Sequence, residues 1–118
     1  MKYLLLIYGN EELFGKMTEA EQQSIMQEYN DFTKSIAQSG YLLGGNELQP
    51  VANATTVRVR NKKRSVTDGP FAETKEQLGG YYLIEAKDLD DAIAVAARIP
   101  SARWGSIEVR GIIPHEMP

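Results

Sequence analysis

Residues 2–8 read KYLLLIY. In an extended strand successive side chains point to opposite faces, so Tyr3, Leu5 and Ile7 share one side and Leu4, Leu6 and Tyr8 share the other. Both sets are apolar, which predicts a strand covered on both faces. Residues 80–86, GYYLIEA, have the same two-sided character. Residues 106–111, SIEVRG, differ: Ile107 and Val109 alternate with Glu108 and Arg110, the signature of a strand with one apolar and one polar face.

Between these strands the sequence punctuates itself. Gly9 to Met17 reads as a polar loop. Thr18 with Glu21 three residues later forms a capping box, in which each side chain satisfies a free backbone N–H at a helix start. Ile25, Tyr29, Phe32 and Ile36 recur at helical spacing, predicting a helix from about Thr18 to Ser39 that Gly40 terminates. Tyr41 to Leu43 and the following Gly-Gly begin an extended segment that resumes from Thr55 to Arg60. NKKR then turns the chain, and Ser65 to Asp68 returns as the second arm of a hairpin. Asp88 is placed as an N-cap, with Asp90 and Asp91 in the first turn of a second helix. Its stripe reads as Leu89, Ile93, Ala96 and Ala97, and Pro100 marks its end.

Collected, the order predicts one domain over residues 1–118, an α+β sandwich of ferredoxin-like βαββαβ type with an extra β-hairpin and both helices on one face of an antiparallel sheet. Two helices cover only one face, yet the strands at 2–8 and 80–86 are apolar on both. An uncovered apolar face of that size marks an interface. The expectation is a homodimer whose sheets meet face to face and enclose a space bordered by Glu108 and Arg110.

Composition narrows the classes of function. Hydrophobic residues are 42% and charged residues 25% of the chain, which is globular rather than disordered composition. There is no cysteine, so disulfides, thiolate metal sites and cysteine nucleophiles are excluded, and a reducing, cytoplasmic setting is the expectation. The apolar run at the start is strand length and lacks a small-residue cleavage site, and no run approaches the roughly 20 residues a membrane span needs. A formal net charge of −3 argues against nucleic acid as a partner. His115 is the sole histidine, in a Pro-flanked tail expected to be exposed, so neither a His-based triad nor a multi-histidine metal site fits within one subunit. Neither the Walker pattern nor GxGxxG is present, and Gly44-Gly45 and Gly79-Gly80 read as bends or close backbone contacts.

The stretches KYLLLIYGNEE, LLGGNELQP, TTVRVR, VTDGPFAETKEQLGGYYLIEA and LDDAIAVAARIPSARWGSIEVR together resemble the DGPF-domain branch of the YCII-related proteins, small bacterial proteins of largely unknown function. The resemblance covers about residues 2 to 110. It implies a dimeric α/β barrel of ferredoxin-like subunits, genomic association with extracytoplasmic-function sigma factors, and a cleft that holds the Asp of the DGPF motif, here Asp68. After EVR this chain departs from the pattern, with Gly111 where relatives usually carry proline, so no role for the tail is inherited.

The candidate chemistry centres on residues 68–80, DGPFAETKEQLGG. Asp68 opens an Asp-Gly-Pro turn, where its carboxylate either accepts backbone N–H bonds or serves as a general base beside an apolar cleft. Glu73 is the candidate second carboxylate and Lys75 a positive partner for an anionic substrate; the plain alternative is a solvated loop. Phe71 reads as a packing residue that covers the pocket. Arg110 offers a forked donor to a carboxylate ligand, or a cross-strand ion pair with Glu108 at the dimer seam. Tyr8 and Tyr82 combine an apolar body with a polar tip suited to a pocket or to core packing. From Arg58 to Arg64 five of seven residues are basic, a solvated hairpin tip or a docking patch. Three functions remain open. One is an enzyme acting on a small anionic molecule by lyase- or isomerase-like proton transfer, with no metal or organic cofactor. The second is a ligand-binding or regulatory module that senses a small molecule or contacts a sigma factor. The third is a purely structural dimer.

Overall fold

A computed structural model describes residues 1–116. Its strands are β1 (Lys2–Gly9), β2 (Leu42–Glu47), β3 (Thr55–Arg60), β4 (Lys63–Asp68), β5 (Gln77–Glu85) and β6 (Ser106–Gly111), and its helices are α1 (Glu11–Gly15), α2 (Glu19–Gln38) and α3 (Leu89–Ala96). Four strands form one sheet in the order β2-β5-β1-β6, every neighbouring pair antiparallel. β1 and β2 are therefore parallel with β5 between them, and β5 and β6 are parallel with β1 between them. Two interlocked split βαβ units of this kind match the ferredoxin-like arrangement.

The capping box forms as read: Thr18 Oγ1 accepts from Glu21 N–H and Glu21 Oε1 accepts from Thr18 N–H, both at 3.1 Å. Gly40 ends α2 with φ +82°, a conformation in which a Cβ is strained. Tyr41 N–H then reaches back to Ile36 O and Gly40 N–H to Ala37 O, the paired bonds of a Schellman cap. Phe32 and Ile36 are the buried residues of the α2 stripe, with Tyr29 packed beside them. The stretch between Gly9 and Met17 is not all loop. It contains α1, which Asn10 caps by accepting from Glu12 and Leu13 N–H.

Which side of each strand meets the helices follows from the core. Tyr3, Leu5 and Ile7 of β1, Tyr82 and Ile84 of β5, and Ile107 and Val109 of β6 all pack with α2 and α3. The opposite set faces away. β6 spans Ser106–Gly111 as its alternation predicts.

The α3 stripe corrects the sequence reading. Leu89 and Ile93 are exposed at 52% and 48%, while Ala92, Val95 and Ala96 are buried together with Ile99 just beyond the helix. Two apolar stripes overlap on this short helix, and the one that carries Ala92, Val95 and Ala96 faces inward.

One glycine of each pair makes a close backbone contact. A Cβ on Gly45 would lie 2.8 Å from Tyr81 O, and one on Gly80 would lie 2.9 Å from Asn46 O. Their neighbours Gly44 and Gly79 have room. No helix among the described residues is long and apolar enough to cross a membrane.

The second sheet is the hairpin of β3 and β4, which among the described residues pair only with each other. Asn61 and Lys62 form its turn with φ of 52° and 64°, the doubly left-handed geometry of a tight two-residue hairpin connection. Of its twelve strand residues only Thr56 is partly buried. The Cα radius of gyration, 16.4 Å, exceeds the roughly 13.5 Å of a compact chain of this length, as expected of a body with a projecting arm.

Candidate functional site

The side of the four-stranded sheet away from the helices is a platform. Cross-strand pairing sets Leu83, Leu4 and Arg110 in one row, Tyr81, Leu6 and Glu108 in the next, and Leu78, Tyr8 and Ser106 in the third. Tyr8 meets Leu78 because β5 slips by one residue at Gly79, a β-bulge opposite Ile7 and Tyr8. Leu4, Leu6, Tyr8, Tyr81 and Leu83 are each half-buried, and among the described residues none packs on the helix-side core.

One edge of the platform is charged. Arg110 Nε donates to Glu108 Oε2 at 2.7 Å, and its Nη2 donates to the same oxygen. The pair lies along one strand, two residues apart, rather than across strands. Arg110 is largely exposed, so the pair contributes little to stability, and the remaining guanidinium donors have no partner among the described residues. At the opposite edge Asn46 Nδ2 donates to Tyr81 Oη at 3.0 Å. Ser106 Oγ donates to Glu76 Oε1 at 2.8 Å, which ties the end of the 69–76 loop to the platform's third row.

Tyr82 stands apart from Tyr8. It lies on the helix side of the sheet, its hydroxyl 2.7 Å from Thr33 Oγ1 and its ring edge-on to Phe32 at 5.3 Å between centroids. Burial raises the pKa of its phenol. This is a core tyrosine whose polar tip is satisfied inside the subunit.

Asp68 closes β4 opposite Thr55, with its side chain exposed. The turn after it is held by other groups. Gly69 N–H donates to Ala54 O at 2.7 Å, Thr56 Oγ1 donates to Gly69 O at 2.9 Å, and Gly69 takes φ +96°. Among the described residues no hydrogen bond reaches the Asp68 carboxylate, which is therefore available rather than spent on the turn. Glu73 and Lys75 are likewise exposed. Thr74 and Gln77 organise this loop, through Thr74 Oγ1 to Glu76 O at 2.5 Å and Gln77 Nε2 to Thr74 O at 2.6 Å. Gln77 Oε1 also accepts Glu11 N–H at 3.0 Å, joining the loop to α1. Neither role carries a signal in the sequence, because each depends on a backbone group that only the folded loop presents.

Within one subunit, then, Tyr8 and Arg110 share the platform, Asp68, Glu73 and Lys75 lie on the arm and the loop that follows it, and no hydrogen bond or ion pair among the described residues links the two groups. No three His, Asp or Glu side chains among the described residues converge as a metal site. A depression of about 430 Å³ at the other end of β1 is lined by Met1, Tyr41, Glu85 and Asp91 among others. Its polar groups satisfy one another: Tyr41 Oη donates to Asp91 Oδ1 at 2.8 Å, Lys87 N–H donates to Asp91 Oδ2 at 3.0 Å, and the Met1 ammonium donates to Ala86 O at 2.9 Å. The Lys87 N–H and the Tyr41 hydroxyl lower the Asp91 pKa, and the bond to Asp91 raises that of Tyr41. With its polar groups thus engaged, the depression reads as structural, and the platform is the better site.

Fold and platform define a small α+β protein with one sheet face packed on helices and one left open. The YCII-related domain model matches residues 1–116, and the chain belongs to that family. It is also 35% identical over 123 residues to a protein of Rhizobium meliloti (strain 1021) described only as uncharacterised, an alignment covering 100% of this chain and 99% of the relative.

Proposed function

We propose that the protein works as a homodimer in which two platforms face each other and enclose a cleft for a small anionic organic molecule. The observation that carries this reading is the platform itself: an apolar sheet face without helix cover, edged by an arginine whose donors are only partly used. In this reading Arg110 holds the carboxylate of the ligand and Tyr8 packs against its body. The chemistry is proton transfer without cofactor, of the lyase or isomerase kind, with Asp68 as the base, Glu73 as the second carboxylate and Lys75 as an added positive charge. Tyr82 is left out of this ligand set, since it is committed to Thr33 and Phe32.

The test is a thermal-shift and calorimetric screen of small carboxylates against the wild type, Arg110→Ala and Asp68→Asn. The expected result is a ligand that stabilises the wild type and loses affinity in Arg110→Ala, with Asp68→Asn retaining binding and losing turnover. A ligand that binds wild type and Arg110→Ala equally well, away from Asp68, overturns the site.

A further inference from the structure

The hairpin carries an apolar row that nothing among the described residues covers. Val57 pairs with Val66 and Val59 with Arg64, so these side chains stand on one face of the two-stranded sheet, with the valines exposed at 58–59%. Asp68, opposite Thr55, belongs to the same face. The opposite face is occupied at its base: Thr56 Oγ1 donates to Gly69 O at 2.9 Å and Arg58 Nη2 to Phe71 O at 3.4 Å, so the returning loop lies along that side. An isolated two-stranded hairpin is marginal in water and gains stability by laying its apolar face on something else.

Charge favours a partner of opposite sign. Residues 55–68 hold five of the thirteen basic residues and one of the sixteen acidic ones, a net +4, which leaves the rest of the chain at −7 from an overall −3. The arm is thus opposite in charge to this protein's own body, present at equal concentration on every other copy. The open platform calls for the same partner.

We infer that the β3–β4 arm is a dimerisation arm that lays its Val57, Val59 and Val66 face on a second copy of this chain and carries Asp68 with it into the subunit seam. The inference rests on the homodimer proposed above and adds that the site is incomplete in one subunit, because Asp68 enters the seam only when the arm docks. Asp68 and Arg110 share no hydrogen bond or ion pair among the described residues, in keeping with a site completed across the seam.

The absence of cysteine makes the test direct. Val57→Cys and Val66→Cys place a thiol on the docking face, and Arg58→Cys places one on the opposite face as a control. Alkylation rates are measured on either side of the concentration at which sedimentation shows dimer formation. The expected result is that Val57→Cys and Val66→Cys react several-fold more slowly in the dimer while Arg58→Cys is unchanged. In parallel, Val57→Asp with Val66→Asp should weaken dimerisation by at least about tenfold with an unaltered circular dichroism spectrum. Reversal of Lys62, Lys63 and Arg64 to Glu should weaken it in a salt-dependent way. A dimer whose arm thiols react as fast as in the monomer, or whose affinity ignores the Asp substitutions, overturns the arm and leaves the platform dimer standing. So does an arm that is protected only when an acidic partner protein is added. A monomer at every concentration overturns both.

Discussion

The four-stranded sheet and the β3–β4 hairpin are both antiparallel. One has a helix layer on a face and the other has none. Leu5, Ile36 and Ile84 are fully buried at 0% exposure, whereas every valine of the hairpin is more than half exposed. The difference teaches that strand formation and strand stability are separate matters here. Pairing and a tight turn suffice to shape the hairpin, but the hydrophobic stabilisation of the sheet comes from the area that α2 and α3 remove from water.

The largest contrast comes from placing the same charge in three environments. Leu5→Lys puts an ammonium into the helix-facing core and is expected to unfold the protein, because an unpaired buried charge costs more than a domain's margin of about 5–15 kcal/mol readily absorbs. Leu6→Lys, one residue on and facing the platform, should leave a folded monomer. Val57→Lys should leave the folded body untouched. Denaturant titration with sedimentation separates the three, and a Leu6→Lys variant that unfolds like Leu5→Lys erases the distinction between the sheet's two faces.

A sharper contrast lies within the glycine pairs. Gly45→Ala and Gly80→Ala drive a methyl group into a carbonyl oxygen of the neighbouring strand and should each cost about 1–3 kcal/mol. Gly44→Ala, which meets open space, should cost far less. Equal losses at Gly44 and Gly45 in urea unfolding would show that backbone freedom, not the β2–β5 approach, sets the requirement.

Smaller effects are expected where structure is local. Thr18→Ala removes half of the capping box and should lower stability by about 1 kcal/mol, because Glu21 keeps its place while one helix N–H goes unsatisfied. Lys62→Gly relieves the left-handed turn position and should stabilise the hairpin by about 0.5–1 kcal/mol without changing the main transition. Hydrogen exchange reads this site by site, and a gain that spread to β1 and β5 would mean the two sheets unfold as one.

The pH dependence at Asp91 is the smallest effect. Its folded pKa is lowered from 3.8 by the Lys87 N–H and the Tyr41 hydroxyl, so its contribution is present above the ordinary carboxylate pKa and is lost as pH falls through the lower folded value. The difference in Tm between wild type and Asp91→Asn should therefore shrink as the solution is acidified below about pH 4. A difference that stayed constant on acidification would assign it to something other than the charge.

Much of this architecture is local and could be read from the chain. The capping box at Thr18 and Glu21, the Gly40 stop, the Asp88 cap, the β6 alternation and the hairpin are each decided by residues within a few positions of one another, where backbone hydrogen bonding and side-chain periodicity act directly. The two-sided apolar pattern of β1 even announced that one helix layer would not cover the sheet. What the chain could not express was parity and register. Tyr81 and Tyr82 are equivalent in composition, and Leu89 with Ile93 competes with Ala92 and Val95 for the same helix. The choice was made by partners distant in sequence: by the pairing of Leu5 with both Tyr82 and Val109, by the bulge at Gly79 that turns Leu78 toward Tyr8, and by the packing of α3 on the core. A strand that is apolar on both faces has no inside of its own, because the hydrophobic effect is non-directional, and only the tertiary contacts give it one.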